Sequence, residues 1–163
     1  MGIAVSDTDQ IATVSFDNAV GLWSGQQPLW FDGHEAAVNA VLFTPDNMIV
    51  SAGDDFTLRV WSPEGTQLAV WTGHKGKVVS LALSPDGTQV ASASWDGSIG
   101  LWSRDGTAPR FMTGHRGPVN DVAFTRNGTG LYSASADGSI RLWDVTTATE
   151  SLRVTEHGFG VNE

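Results

Sequence analysis

Short apolar runs separated by turn residues punctuate the whole chain. The third quarter shows the pattern most clearly. Val78 to Leu83 is apolar-rich, and Ser84-Pro85-Asp86-Gly87 is turn text, with proline and glycine placed to reverse the chain. Val90 to Ser94 forms a second run, and Asp96-Gly97 reads as a two-residue hairpin turn. Ile99 to Trp102 is a third strand, Arg104-Asp105-Gly106 turns again, and Arg110 to Met112 is a short outer strand. The same text recurs at Val38–Trp71 and Val119–Val154. No stretch of ten residues carries a 3.6-residue period, so the pattern predicts an all-β chain.

The polar residues repeat in the same register. His34, His74, His115 and His157 are 40, 41 and 42 residues apart, and no other histidine exists. Trp23, Trp61, Trp102 and Trp143 are spaced 38, 41 and 41. Six residues before each tryptophan stands an aspartate: Asp17, Asp55, Asp96 and Asp137. Four before each aspartate stands a hydroxyl: Thr13, Ser51, Ser92 and Ser133. A period of about 40–45 residues is the mark of a four-stranded propeller blade.

With these motifs in view the chain resembles the WD40 β-propeller family. The Gly-His pairs at Gly33-His34, Gly73-His74 and Gly114-His115 carry the resemblance. So do the Ser84-Pro85-Asp86-Gly87 turn, the Asp-Gly hairpins and Trp143-Asp144. It covers essentially all of the 163 residues. There are departures. Trp23, Trp61 and Trp102 are followed by serine, the turn Ser6-Asp7-Thr8-Asp9 lacks proline, and Asp55 is followed by Phe56 instead of glycine.

The resemblance implies that His, Ser/Thr, Asp and Trp of one blade hydrogen-bond to one another. The chemistry is self-consistent: indole N–H donates, hydroxyl relays, neutral imidazole donates and accepts, and carboxylate ends the chain. Three sets follow: His34/Ser51/Asp55/Trp61, His74/Ser92/Asp96/Trp102 and His115/Ser133/Asp137/Trp143. Thr13, Asp17 and Trp23 have no histidine before them, and their partner by spacing is His157, at the other end of the chain. A Ser-His-Asp content of this kind invites comparison with a hydrolase triad. A triad occurs once in a site, whereas these residues recur around the repeat, so the expectation is structural and no catalytic residue is assigned.

Four blades, at about 1–32, 33–72, 73–113 and 114–156, account for the sequence as one domain. Residues 157–163 lead into the first strand of a following blade. Family propellers resemble rings of six to eight blades. Two copies related by a twofold axis make eight, with closed symmetry. A closed four-bladed monomer and a piece of a longer repeat array remain competing closures. Charge is uneven along the chain. Residues 1–32 hold four acids and no base, whereas residues 114–156 hold four bases and five acids.

Composition narrows the function. A net charge of −9 argues against nucleic acid as a partner. The absence of cysteine removes disulfides and thiolate metal sites. No apolar run approaches the roughly 20 residues of a membrane span, and no signal peptide is visible, so a cytoplasmic location is expected. Asp54-Asp55 and Asp7-Thr8-Asp9 do not match a calcium loop, so neither metal nor cofactor is expected. Family propellers bind peptides and proteins on the face built from the histidine loops and aspartate hairpins. By that resemblance Phe16, Asp54, Trp95 and Ala136 line the face, together with Ala37, Asn39, Lys77, Val79, Pro118, Asn120, Gly160 and Asn162. Trp95 stands out as a turn aromatic, a residue type over-represented in binding hot spots. Lys75, Lys77 and Arg116 suit an acidic peptide. The expected function is a non-catalytic protein- and peptide-interaction scaffold that closes its propeller by homodimerisation. The alternative is a half-propeller whose sole activity is self-assembly.

Overall fold

A computed structural model describes residues 2–25 and 27–155. Among the described residues there is no helix, and sixteen strands form four separate four-stranded antiparallel sheets, the blades. The chain divides into two compact units, Met1–Gly73 and His74–Glu163.

In the first unit, blade 1 comprises β1 (Gly2–Val5), β2 (Ile11–Val14), β3 (Val20–Trp23) and β4 (Pro28–Phe31). Blade 2 comprises β5 (Val38–Phe43), β6 (Ile49–Gly53), β7 (Leu58–Trp61) and β8 (Gln67–Trp71). In the second unit, blade 3 comprises β9 (Val78–Leu83), β10 (Gln89–Ser94), β11 (Ser98–Ser103) and β12 (Arg110–Thr113). Blade 4 comprises β13 (Val119–Phe124), β14 (Gly130–Ser135), β15 (Ile140–Asp144) and β16 (Thr149–Val154). In every blade the strands pair in sequence order, as successive hairpins.

Each strand alternates between two faces, so each blade has a tryptophan face and a back face. The core lies between a tryptophan face and the back face of the blade before it. In the first unit Ile49 and Trp61 of blade 2 cluster with Val14, Val20, Leu22 and Phe31 of blade 1. In the second unit Val122, Leu131 and Trp143 of blade 4 cluster with Ala91, Ile99, Leu101 and Met112 of blade 3.

The turns explain why local sequence suffices to set the register. The first turn of each blade is closed by one backbone bond: Asp9 N–H to Ser6 O, Asn47 to Thr44, Gly87 to Ser84 and Gly128 to Thr125. The donor always has positive φ, which glycine, asparagine and aspartate tolerate best. The missing proline in Ser6-Asp7-Thr8-Asp9 therefore changes nothing in the turn.

The Asp-Gly hairpin differs from the sequence expectation. It is a three-residue loop, not a two-residue turn. Gly138 N–H bonds to Ser135 O, and Ser135 N–H bonds to Ser139 O, leaving Ala136-Asp137-Gly138 as the loop. Gly97 and Gly138 take φ of +84° and +81°, as the bulge closing such a loop requires. The aspartate is thereby centred in the loop and turned toward the histidine. At the equivalent point in blade 2, Phe56 adopts φ +67°. The loop keeps its shape and a bulky side chain absorbs the strain.

Candidate functional site

Two groups of residues were singled out by the repeat: the sets inside the blades, and the loops above them. The sets come together in blades 2, 3 and 4. The Nδ1–H of His34 donates to Asp55 Oδ2 at 2.8 Å, and the Ser51 hydroxyl donates to His34 Nε2 at 2.7 Å. Trp61 Nε1 donates to Ser51 Oγ at 2.8 Å. The corresponding distances are 3.0, 2.8 and 2.8 Å in blade 3, and 3.0, 2.7 and 2.8 Å in blade 4. One tautomer satisfies all of these bonds. The imidazole is neutral with its hydrogen on Nδ1, so the serine gives its own hydrogen and receives the indole's.

Electrostatics favours that state. Burial holds His74 and His115 below the usual histidine pKa, outweighing their aspartate partners. Burial acts to raise Asp55, Asp96 and Asp137, but their hydrogen bonds prevail and hold all three below the usual carboxylate range. Among those bonds is the backbone N–H following each histidine: Glu35, Lys75 and Arg116 donate to the aspartate Oδ2 at 3.1, 2.8 and 2.9 Å. Each aspartate thus ties its hairpin loop to the histidine loop.

A hydroxyl two residues after the aspartate adds a further bond, which the sequence reading missed. Thr57, Ser98 and Ser139 donate to the aspartate Oδ1 at 2.9, 2.6 and 2.6 Å. Its signal was present as a hydroxyl recurring at a fixed offset, with Ala19 as the exception in blade 1. Blade 1 shows part of a set. Trp23 Nε1 donates to Thr13 Oγ1 at 2.9 Å, and the backbone of Ala19 donates to Asp17 Oδ1 at 3.2 Å. His157 lies outside the described residues.

This geometry bears on the hydrolase comparison. Ser51 and Ser92 are fully buried, and each hydroxyl already accepts an indole N–H. A nucleophile needs a face open to substrate, and these oxygens have none.

The slot between serine and tryptophan shows a second unread feature. It holds Gly21 and Gly100 in blades 1 and 3, and Arg59 and Arg141 in blades 2 and 4. A Cβ at Gly100 would sit 2.6 Å from Trp102 Nε1 and 2.7 Å from Ser92 Oγ. There an aromatic from the outer strand caps the tryptophan: Trp30 on Trp23, and Phe111 on Trp102 and His74. In the other two blades the guanidinium lies beside the aspartate, 3.5 Å from Asp55 or Asp137. Its Nη1 donates to Gln67 or Glu150 of the outer strand at 2.6 Å.

The loops above the sets are laced by backbone bonds. Asp54 N–H donates to Ala37 O, Trp95 to Lys77 O and Ala136 to Pro118 O, at 2.8 to 2.9 Å. Asn39 Nδ2 donates to Asp54 Oδ1 at 2.8 Å, which binds those two expected positions to each other. Trp95 is 50% exposed, with the Lys77 ammonium 5.4 Å from its ring centre. Phe16 is 69% exposed. Ala136 is exposed, while Ala37, Asn39, Lys77, Val79, Pro118 and Asn120 are half-buried. Lys75 and Arg116 are exposed on the histidine loops of the second unit. Gly160 and Asn162 lie outside the described residues.

Comparison with known proteins agrees with the repeat. The chain is 37% identical over 84 residues to telomerase protein component 1 of Mus musculus, covering 50% of this chain and 3% of that protein. It is 32% identical over 100 residues to ribosome biogenesis protein YTM1 of Vanderwaltozyma polyspora, covering 49% of this chain and 22% of that protein. It is 44% identical over 55 residues to guanine nucleotide-binding protein subunit beta-1 of Caenorhabditis briggsae, covering 33% of this chain and 16% of that protein. The chain therefore spans under a quarter of each relative. The family profile described as WD domain, G-beta repeat matches residues 25–62, 65–103 and 106–144. Each match runs from an outer strand into the next blade and ends at its tryptophan strand, and with four four-stranded antiparallel blades this makes the chain a member of the WD40 repeat family.

Proposed function

We propose that this chain is a non-catalytic WD40 scaffold that binds protein or peptide ligands through its loop face and closes its ring by pairing with a second copy. The observation that carries the binding reading is Trp95. It is half exposed, anchored through its backbone to Lys77 and covered in part by the Lys77 ammonium. A rigid aromatic beside a cation is a ready contact for an acidic peptide, because little conformational freedom is lost on binding. Lys75 and Arg116 add positive charge to loops of the same unit. Two of the relatives are named as a component and a subunit, which suits a role inside assemblies.

Trp95→Ala tests the reading on an immobilised peptide library spanning acidic and basic sequences. Acidic peptides are expected to bind, and the substitution to weaken them at least tenfold while circular dichroism stays unchanged. Binding that is indifferent to Trp95, or confined to basic peptides, overturns it.

Ring closure is the second part of the proposal, with eight blades from two copies. It draws support from the apolar Ile3 and Val5 of blade 1, which are 68% and 62% exposed. Light scattering after gel filtration tests it. Twice the chain mass of 17.3 kDa is expected, and a single species at 17.3 kDa across a dilution series overturns it.

A further inference from the structure

We infer that the rim of the junction between blades 1 and 2 is a docking groove for an extended segment of another protein, apolar at alternate positions and basic between them. This surface lies on other residues than the Trp95 loops and prefers the opposite charge.

Strand register allows this junction to be compared, place by place, with the one between blades 3 and 4. Leu22 and Leu101 hold the same place, each one residue before its tryptophan and buried against the next blade. Leu29 stands opposite Leu22, and Arg110 opposite Leu101. Leu29 therefore takes the place of Arg110. Likewise Val70 stands opposite Arg59, and Arg153 opposite Arg141, so Val70 takes the place of Arg153. Both outer strands carry one extra residue at a bulge, Leu68 in β8 and Ser151 in β16. Two arginines and a serine at one junction are two leucines and a valine at the other.

Core packing does not account for the exchange. Leu29, Leu68 and Val70 are 44%, 52% and 40% exposed. Leu29 lies on the face of blade 1 that blade 2 covers, and Val70 on the face of blade 2 that meets it. Both remain exposed although the blades are packed together below them, with the Phe31 and Trp61 ring centres 5.6 Å apart. A Cβ at Gly65, in the β7–β8 turn, would sit 3.0 Å from Phe31 and 3.4 Å from Leu29, so this turn borders the opening. In the second unit Arg110 clamps the corresponding turn, donating to the carbonyls of Thr146 and Val145 at 2.6 and 2.9 Å. Leu29 has no hydrogen to donate and makes no such clamp. Single exposed apolar side chains are ordinary, but three on the outer strands of one junction mark a contact surface.

Charge and topology identify the occupant. Residues 1–72 carry nine acids and one base, and that base, Arg59, is already held by Asp55 and Gln67. Asp32 directly follows β4 and Glu64 directly precedes Gly65, which sets carboxylates beside the apolar residues. A cationic partner is therefore favoured over an acidic one. Its backbone form follows from β8, the outermost strand of its sheet. Such an edge offers main-chain hydrogen bonds to an added strand. Side chains of that strand would alternate, so every second one falls on the face of Val70, where an apolar group fits. The positions between suit lysine or arginine, whose long stems let the charge meet the negative field of the unit.

A fluorescein-labelled peptide alternating valine and lysine, followed by fluorescence anisotropy, tests the groove. It is expected to bind the unchanged chain. Peptides alternating serine and lysine, or valine and glutamate, are expected to bind at least tenfold more weakly. Leu29→Arg with Val70→Arg copies the polar junction at two exposed positions. That variant is expected to bind the valine-lysine peptide at least tenfold more weakly, with circular dichroism unchanged. If it loses its β-sheet signal, Leu29→Ser with Val70→Ser replaces it and the same reading applies. Trp95→Ala is expected to leave the valine-lysine peptide unaffected, which separates the groove from the loop face. A valine-lysine peptide that fails to bind, or binds the Leu29 and Val70 variant equally well, overturns the inference. So does equal binding of either control peptide, or a loss caused by Trp95→Ala. A variant that loses pairing of the chain while peptide binding is unchanged assigns the patch to a second copy, and overturns it as well.

Discussion

Ser92 joins the polar atoms of two neighbouring rings, giving its hydrogen to His74 and accepting that of Trp102. Ser92→Ala leaves a buried acceptor and a buried donor unsatisfied, each worth about 1–3 kcal/mol. A chemical denaturation midpoint should fall accordingly with the slope unchanged. Thr13→Val should be milder, because among the described residues the partner it strands is the half-buried Trp23.

Titration acts on the same sets. The folded pKa of His74 and His115 lies below the ordinary histidine value of about 6.5, so the unfolded chain binds more protons as pH falls from there. Stability contributed by these histidines is present above pH 6.5 and declines below it, through their folded pKa. Asp55, Asp96 and Asp137 are also lowered, so their contribution is present above 3.8 and is lost as pH falls below that value. A melting temperature followed by circular dichroism should therefore drop in two stages on acidification. A melting temperature flat from pH 8 to 5 would contradict the burial of neutral histidines.

Elements are held to their neighbours by turn chemistry, and one turn departs from the rest. Phe56 occupies a left-handed conformation that Gly97 and Gly138 adopt freely. Phe56→Gly removes strain of about 1–2 kcal/mol, offset in part by the greater entropy of an unfolded glycine. Phe56 is exposed, so little packing is lost. The expected result is a gain of up to about 1 kcal/mol in thermal or denaturant unfolding.

This turn shows what could be read from sequence. Strands β9 to β12 lie within a residue or so of the apolar runs, because period-two text and turn residues act locally. The histidine sets were legible for a different reason. Their members are distant in the chain, but repetition marks them. The three-residue loop was misread because Asp-Gly serves both hairpin types, and the choice is made by the left-handed glycine, Gly97 or Gly138, that closes the loop. Arg59 and Arg141 went unread because their acceptors, Gln67 and Glu150, sit on outer strands whose register carries its own bulge.

At the scale of the whole molecule, the acidic first blade is a property of no single residue. Under the proposed pairing, association is part of stability. A protein that pairs on folding gains stability with concentration. On the proposed pairing, the melting temperature should rise by several degrees between micromolar and hundred-micromolar chain. A concentration-independent melt would count against pairing.

The alternation of glycine and arginine between serine and tryptophan reaches furthest. A shift of one blade sets Gly21 on Arg59, but a shift of two sets Gly21 on Gly100 and Arg59 on Arg141. With each goes its cap, an aromatic in one case and an amide or carboxylate in the other. The repeating unit of this slot is thus a couplet of unlike blades, and the array is a rhyme scheme of alternating lines. Loss of one internal blade from such an array would set two like lines side by side, whereas loss of a whole couplet leaves the scheme unbroken.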